Sequence, residues 1–535
     1  MMKQKDNNSP YVGTINGKQL LFVDGSPLVL LSGEVHNSSS SSLRYMQKIW
    51  EKAKSLHLNC LLLPVTWELT EPKEGCFDFS LVHGLIDQAR QYSMKIVFLW
   101  FGAWKNAQCY YAPEWVKKDL NRFHRAEIEK GKGFIKLDNF YDMPYSSLSY
   151  LCEETRQADA YAFSRLMAAI RKKDQNEHTV VAVQIENETG VMGAAREHSE
   201  IADTLFSAPV PADFAVYMHN NVHTMTPEIR EAVLSGKPAG NWSEVFGVAA
   251  EEIFSAYHIA SYVNTVSMAG KKEYNLPFAV NCWLNKAGEP AGIYPSGGPI
   301  SKMREVWRFC APNIDLYAPD IYLLNFQEIC DEYTRRGEAL FIPECGTHQY
   351  AASRALLCVG KYHAACYSPF GIEDMGLPFH AGQIALFGGD ANDPALKTPQ
   401  DADVYGEIID LLGNLMPRIV SHYGTDKLQA GSAETEQYSV FRMGAYEIQS
   451  RYLAPDGACL VLQENENAFF LIAYHAMLSF QSLDDQKPGI DFLALEEGHF
   501  EKNVWQMDRR LNGDEAVGNV YTSPTLLRVR LFAYA

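Results

Sequence analysis

This chain of 535 residues lacks several common signatures of binding and catalysis. It has no His-Glu-x-x-His, no Cys-x-x-Cys and no aspartate-rich loop, which excludes the usual zinc and calcium motifs. No Gly-x-Gly-x-x-Gly follows its first apolar run, and there is no Walker loop and no Gly-x-Ser-x-Gly. We therefore expect no cofactor, no metal site and no serine-hydrolase chemistry.

Positive charge and long apolar runs are also scarce. The 47 Lys and Arg face 65 Asp and Glu, and the net charge of −18 argues against nucleic acid or a membrane surface as partner. No apolar run reaches the ~18 residues of a membrane span. Eleven scattered cysteines, an odd number, are typical of reduced thiols. The polar amino-terminal stretch MMKQKDNNSPYVG has no signal-peptide core, so we expect a cytoplasmic protein, or a periplasmic or secreted one if a leader was removed.

The sequence does contain two alternating kinds of segment. Short runs that are apolar without alternation are separated by amphipathic stretches such as LRYMQKIWEKAKSLH. A strand that is buried on both faces belongs to a parallel sheet covered by helices, so the pattern predicts an α/β fold, a (β/α)₈ TIM barrel. The eight predicted strands lie within residues 27–35, 59–67, 95–102, 180–186, 276–284, 314–322, 339–346 and 364–372.

We predict four regions along the chain. Residues 1–25 are a leader with a β-hairpin, residues 26–385 the barrel with a helical insertion at 191–275, and residues 386–424 a helical linker. Residues 425–535 alternate β-branched and aromatic residues between turns, which is typical of an antiparallel β-sandwich. This β-sandwich is expected to brace the barrel or to form a homo-oligomer, and glycan binding by it is an alternative.

Polar residues concentrate at the carboxyl ends of the apolar runs. VVAVQIE continues into Asn187 and Glu188, and ALFIP continues into Glu344. The carboxyl ends of barrel strands share one rim, where active sites of this fold lie, so the two glutamates are expected to meet across the mouth. Two carboxylates roughly 5 Å apart are what a retaining glycosidase uses, one as acid and base and the other as nucleophile.

Three longer motifs resemble glycoside hydrolase family 35, the β-galactosidases. LLSGEVH (30–36) is similar to the opening of that family's barrel, WELTEPKEGCFDFS (67–80) to its W-N-x-H-E-P-x-x-G-x-F-D-F-S run, and VQIENETG (183–190) to its V-Q-x-E-N-E-Y-G. The resemblance covers about residues 20–370 and favours the bacterial branch with a carboxy-terminal β-sandwich. It implies an exo-acting, retaining β-galactosidase that removes terminal galactose from oligosaccharides or polysaccharide side chains, with catalytic residues Glu188 (acid/base) and Glu344 (nucleophile).

The other rim residues are candidates for holding the sugar. Asn187 is expected to bond the sugar 2-hydroxyl. The family's P-G-P-Y-x-C-A-E-W loop is replaced by FGAWKNAQC (101–109), so contacts there would be rebuilt from Trp104, Lys105 and Asn106. The remaining candidates for substrate binding are Glu34, Trp67, Trp283, Tyr322 and Glu373.

Most of these candidates have a structural alternative. The tryptophans could belong to the core instead of stacking on a sugar. Glu34 could brace the rim, and Glu186 is expected to be a structural partner and not a second acid. Thr189 stands where many members have Tyr, so a glucoside, fucoside, uronide or glucosaminide stays open as substrate. A non-catalytic carbohydrate-binding barrel is the alternative from another class.

Overall fold

The chain begins with a small antiparallel sheet. The structure is a computed structural model that describes residues 9–136, 145–322, 325–378 and 392–535. Two turns, at Asn16-Gly17 and Asp24-Gly25, have positive φ at all four positions, which is the geometry that Asn-Gly and Asp-Gly favour in hairpins. The predicted hairpin is therefore part of a three-stranded sheet of β1 (Tyr11–Ile15), β2 (Lys18–Val23) and β3 (Ser26–Leu28).

Eight parallel strands form a closed barrel, as predicted. They are β4 (Leu30–Glu34), β5 (Cys60–Thr66), β6 (Lys95–Phe101), β7 (Val180–Ile185), β8 (Phe278–Trp283), β9 (Leu316–Asp320), β10 (Phe341–Ile342) and β11 (Cys366–Tyr367). Neighbours pair in the order β10-β11-β4-β5-β6-β7-β8-β9. The ends of this sheet meet where the Ile321 N–H donates to the Glu344 carbonyl at 2.9 Å, beside a parallel bridge between Ile321 and Cys345.

Helices occupy the connections and cover the outside of the barrel. The first of them shows why: α1 buries Met46, Ile49, Trp50 and Ala53, whose spacing of three and four residues gives one apolar face. Among the described residues, no helix has both the length and the apolar character that crossing a membrane would require. The helices up to the end of the barrel are α1 (Leu43–Ser55), α2 (Trp67–Thr70), α3 (Ser80–Gln91), α4 (Glu114–Lys118), α5 (Glu153–Asp174), α6 (Glu200–Ser207), α7 (Ala212–Asn220), α8 (Pro227–Ser235), α9 (Trp242–Phe246), α10 (Ala250–Glu273), α11 (Arg304–Cys310), α12 (Phe326–Thr334) and α13 (Ala351–Gly360).

The segment predicted as a helical insertion contains α6 to α10. Its last helix, α10, is also the crossover that returns the chain from β7 to β8, and it packs against α5. The predicted boundary between residues 385 and 386 lies outside the described residues. Beyond it, the chain forms α14 (Pro394–Lys397) and α15 (Ala402–Ser421), the second of which is the predicted linker helix.

Two antiparallel sheets follow the linker helix. One has six strands in the order β12-β15-β16-β21-β18-β19, and the other has four in the order β13-β14-β17-β20. Their elements are β12 (Leu428–Ser432), β13 (Tyr438–Met443), β14 (Tyr446–Tyr452), β15 (Ala458–Asn465), β16 (Ala468–Tyr474), β17 (Ala476–Ser482), β18 (Gly489–Glu501), β19 (Val504–Arg510), α16 (Asp514–Gly518), β20 (Val520–Tyr521) and β21 (Thr525–Tyr534).

The central strands β15 and β16 of the six-stranded sheet are buried on both faces over most of their length. In β15, Leu460 and Leu462 belong to the core of the barrel, whereas Cys459 and Val461 belong to the core between the two sheets. This is the two-residue period of a strand with a different partner on each side. The core of the barrel therefore extends onto one face of the six-stranded sheet, and the two sheets enclose a second core of their own.

We expect Gly33→Ala to destabilise the protein, because Gly33 lies in β4 against Ile372. A Cβ at position 33 would be 2.4 Å from Cγ1 of Ile372, and such overpacking costs about 1–3 kcal/mol. The free energy of unfolding from urea titration measures the effect. Gly413→Ala is the control, since its Cβ would meet nothing within 4 Å and the change should stabilise α15 by about 0.4–1 kcal/mol. Equal midpoints for wild type and Gly33→Ala would contradict the close packing of β4.

Candidate active site

The carboxyl ends of the barrel strands bring four acidic side chains to one mouth. Glu34 ends β4, Glu188 follows β7, Asp320 ends β9 and Glu344 follows β10. All four are at most 6% exposed. One carboxylate oxygen each of Glu188, Asp320 and Glu344 lies within 4.8 Å of the other two. Glu188 and Glu344, far apart in sequence, thus lie side by side.

Hydrogen bonds from three donors orient the Glu344 carboxylate. The Tyr322 hydroxyl donates to its Oε2 at 2.7 Å. The amide groups of Asn187 and Asn281 donate to its Oε1 at 3.3 Å and 3.4 Å. Because one oxygen is held by the phenol and the other by two amides, the carboxylate has a single orientation in the mouth. Tyr322 therefore contacts the predicted nucleophile directly.

Glu188 differs from Glu344 in both contacts and charge. Its backbone N–H donates to Oδ1 of Asn281 at 2.9 Å, and its carboxyl shares a hydrogen bond with Asp320. Burial, followed by the negative charge of Glu344, raises the pKa of Glu188 to about 7, although Lys105 acts in the opposite direction. Near neutral pH this carboxyl therefore retains a proton that it can donate.

Lys105 is the cation of the mouth. Its Nζ donates to Oδ1 of Asn187 at 2.9 Å, and the residue is 4% exposed. Burial lowers the pKa of Lys105, but the negative charges of Glu344, Glu188 and Glu34 outweigh it and raise the pKa above its ordinary value. The sequence pointed to Lys105 only as part of a rebuilt loop, since nothing local shows that it points into an acidic cluster.

Some of the four carboxyl groups in the mouth are expected to stay protonated, which reduces the negative charge there. At 4 Å, two unit charges repel by about 4 kcal/mol in a partly buried site, so four carboxylates beside one ammonium do not all ionise. Burial first, and then Glu344, raises the pKa of both Glu34 and Asp320 well above ordinary values. Three carboxylates this close could also surround a hard cation. In this chain Lys105 and bound protons already compensate their charge.

Glu34 and Glu373 were both predicted to contact the sugar. Neither oxygen of Glu34 has a hydrogen-bond partner among the described residues. Glu373 is held on one side, because its Oε1 accepts from the His36 N–H at 3.1 Å and from the Ser39 hydroxyl at 2.6 Å. The carboxyl of Glu34 is close enough to Glu344, Glu188 and Glu373 to interact with their charges, and a hydroxyl group of a ligand could supply the missing hydrogen bond.

Beneath the mouth, Glu186 and Asp159 form a buried carboxyl pair. The two side chains share a hydrogen bond, and burial raises the pKa of each. Asp159 also accepts from Trp100 Nε1 at 2.8 Å and from the Tyr262 hydroxyl at 2.9 Å, and Glu186 accepts from the Trp104 N–H at 2.8 Å. Glu186 is thus a structural partner, as expected, and its partners are a backbone N–H and a second acid.

Two of the three candidate tryptophans have no open face. Trp67 is fully buried at the start of α2 and donates to Oε2 of Glu71 at 2.8 Å. Trp104 is 1% exposed and packs edge-on against Tyr262. Trp67 and Trp104 therefore belong to the core and do not offer a ring face to a sugar. Trp283, at the end of β8, is partly buried, and Asn106 is likewise partly buried in the loop after β6.

Two further residues of the mouth, Asn281 and Asp320, were not singled out as site residues from the sequence. Asn281 connects the acids, because its Nδ2 donates to Asp320 Oδ2 at 2.8 Å while its Oδ1 accepts from Glu188. Both residues are polar and end an apolar run, which was the signal available in the sequence.

Two family models match parts of this chain. Residues 20–109 match the family model described as glycosyl hydrolases family 35. The resemblance to this family is confirmed over that stretch. Residues 405–520 match a second model, described as a domain of unknown function (DUF5597), which covers most of the linker helix and the sheets. No curated protein matched the chain.

Several solved structures are similar to this chain at low sequence identity. The β-galactosidase from Bacillus circulans sp. alkalophilus is 10% identical with a TM-score of 0.44, over 72% of this chain and 56% of its own. The β-galactosidase from Rahnella sp. R3 is 12% identical with a TM-score of 0.46, over 74% and 57%. The catalytic domain of β-amylase from Paenibacillus polymyxa is 12% identical with a TM-score of 0.44, over 65% and 93%. This chain thus spans little more than half the length of both β-galactosidases, and the barrel itself is established by its strand pairing.

We expect Glu186→Gln to weaken the pH dependence of stability. Both carboxyls of the Glu186–Asp159 pair have raised pKa values in the folded state, so their stabilisation is complete at low pH and is lost as pH rises above their ordinary values. A glutamine mimics the protonated acid and does not titrate. The melting temperature, followed from pH 5 to pH 8, should fall less in this variant than in wild type. Glu464→Gln, in an exposed pair with Arg528, is the control; equal slopes for wild type and Glu186→Gln would exclude proton sharing.

Proposed function

We propose that this protein is a retaining β-glycosidase in which Glu344 is the nucleophile and Glu188 the acid and base. The observation that carries the proposal is the separation of the two carboxylates, which have oxygens within 4.8 Å of each other. Retaining enzymes hold their two carboxyl groups about 5–5.5 Å apart, whereas inverting enzymes need about 6.5–9.5 Å to admit a water molecule. The family 35 match over residues 20–109 supports the same class of reaction.

In the first step, an oxygen of Glu344 attacks the anomeric carbon. The bond from that carbon to the leaving oxygen breaks, and Glu188 gives its proton to the departing alcohol. The raised pKa of Glu188, about 7, keeps this proton available near neutral pH. Lys105 fixes the amide of Asn187, because it bonds the amide oxygen and thereby directs the amide nitrogen to Glu344.

In the second step, the covalent sugar ester on Glu344 is hydrolysed. Glu188 is now ionised and takes a proton from a water molecule, whose oxygen attacks the anomeric carbon and releases Glu344. Each displacement inverts the configuration of the same anomeric carbon, so after two displacements the product has the β configuration again. The released Glu344 carboxylate then accepts hydrogen bonds from its three donors again.

As substrate we propose terminal, β-linked galactose on an oligosaccharide or polysaccharide side chain, removed in an exo mode. The support is the resemblance of residues 20–109 to family 35 together with an unpartnered Glu34 that can bond a sugar hydroxyl. The test is to measure initial rates on nitrophenyl β-galactoside, glucoside, fucoside, glucuronide and glucosaminide. The proposal expects the galactoside to react fastest; a faster rate on another sugar would assign the same catalytic groups to that sugar. Calorimetric binding of galactose without turnover of any of these would favour the carbohydrate-binding alternative.

We expect Glu344→Gln to lower kcat on the preferred nitrophenyl glycoside by at least about a thousandfold, since the variant loses the group that forms the intermediate. Circular dichroism should be unchanged, and Glu464→Gln should retain wild-type turnover. The anomer released by wild type, followed by proton NMR, should be β first. Release of the α anomer would exclude Glu344 as a nucleophile, as would wild-type turnover by Glu344→Gln.

The pH dependence of kcat/KM should show a basic limb near 7, where Glu188 loses its proton. Lys105 lowers the pKa of Glu188, so removing its charge in Lys105→Met raises that pKa and moves the limb to higher pH. Lys118→Met changes an exposed lysine and should leave the limb in place. The position of the limb is read from the shape of the pH profile, so variants with different absolute rates can be compared. A limb that stays in place or moves to lower pH in Lys105→Met would contradict the assignment of the acid.

A further inference from the structure

A buried ion pair joins the carboxy-terminal sheets to helix α13 of the barrel. Arg354 is fully buried, and its Nε donates to Oε2 of Glu434 at 3.1 Å while its Nη2 donates to Oε1 of the same carboxylate. Glu434 lies in the turn between β12 and β13, with its side chain 5% exposed. Two parallel hydrogen bonds between a guanidinium and a carboxylate fix the orientation of both groups. The turn of the sheets and α13 are therefore held in one geometry.

The same arginine reaches the loop that carries Glu344. Its Nη1 donates to Nε2 of His348 at 3.3 Å. Burial and the charge of Arg354 lower the pKa of His348 well below its ordinary value, so the ring is neutral and can accept. The ring lies against Gly346, where a Cβ would be 2.6 Å from its Cδ2. A contiguous line of contacts thus runs from Glu434 to a residue two positions after Glu344.

The loop of Glu344 needs such support because its strand is short. β10 contains only Phe341 and Ile342, so Glu344 lies beyond the parallel ladder. On the barrel side, the carbonyl of Glu344 accepts from Ile321 and the carbonyl of Cys345 accepts from Phe370. Beyond Gly346, the loop is held by backbone hydrogen bonds between residues 347–349 and 398–400 and by the contact of His348 with Arg354. A shift of His348 would move this loop and, with it, the carboxylate of Glu344 relative to Glu188.

We propose that the carboxy-terminal sheets position the nucleophile, with Glu434 and Arg354 as positioning residues that act on the Glu344 loop through His348. This gives a function to the region that matches a domain of unknown function. It rests on the proposed role of Glu344. A displacement of about 1 Å in a catalytic group can cost about a hundredfold in rate, so the contribution is to kcat more than to KM.

The first test is Glu434→Gln, which keeps the shape of the side chain but leaves the Arg354 charge without its counter-ion. We expect kcat to fall about 10- to 100-fold, with KM changed much less. The matched control is Glu464→Gln, which breaks another two-bond arginine pair, with Arg528, in the same sheets, at the exposed end of β15. Rates are measured far below the melting temperature of each variant. A wild-type kcat in Glu434→Gln would overturn the proposal.

A paired apolar variant separates positioning from stability. Replacement of a buried ion pair by apolar side chains of similar volume is often neutral or stabilising, so Arg354→Met with Glu434→Leu should fold. The His348 ring then has no donor, and we expect kcat to stay low even where the melting temperature is that of wild type. A stable double variant with wild-type kcat would show that the ion pair serves folding alone, and would overturn the proposal.

Amide hydrogen exchange gives a readout that needs no turnover. Exchange in the segment 344–348 should be faster in Glu434→Gln than in wild type and unchanged in Glu464→Gln. Unchanged exchange in Glu434→Gln would reject the coupling, whatever Glu344 does. Loss of the proposed function is recognised separately, since it appears as turnover that survives Glu344→Gln.

Discussion

The crowding of acidic groups in a buried mouth is the constraint on which the rest of the site depends. Repulsion and burial together prevent Glu34, Glu188, Asp320 and Glu344 from ionising at once. Burial and the negative charge of Glu344 raise the pKa of Glu188 to about 7. Three donors hold the carboxylate of Glu344 in place. Two identical side chains thus have different surroundings, which suit the proposed roles of Glu188 as acid and Glu344 as nucleophile.

The backbone around the acid carries strain that the rest of the structure must hold. Glu186 and Glu188 have φ of 60° and 46°, and Asn106 and Ala107 have φ of 52° and 57°. Such conformations of residues other than glycine cost on the order of 1–3 kcal/mol each, and they persist where surrounding contacts enforce them. Here the Glu186–Asp159 pair, the Trp104 N–H and the Asn281 side chain supply those contacts. These contacts hold the backbone on both sides of Glu188 in its strained conformation.

Features of the fold that produce a local pattern of residues could be predicted from the sequence. Barrel strands buried on both faces appear as unbroken apolar runs, and each of the eight predicted runs contains one observed strand. The meeting of Glu188 and Glu344 followed from topology alone. Contacts between distant segments have no such pattern, so the central place of Lys105 and the pairing of Asp159 with Glu186 were not predicted. Trp67 follows its strand as the rim residues do, but α2 begins at this residue and the ring is buried.

β7 and β10, which precede Glu188 and Glu344, differ in how their carboxyl ends are held. β7 has six residues, and the Asp159–Glu186 pair clamps its end from within the barrel. β10 has two residues, and the described residues show no comparable acid pair beside it. Its loop is instead held by His348 and Arg354, and Arg354 is held by Glu434. Since Leu460 and Leu462 of the same sheets are buried against the barrel, that support is attached by apolar packing as well as by charge. The proposed support of Glu344 thus reaches outside the barrel, whereas the segment that carries Glu188 is held by Asp159 of α5 within it.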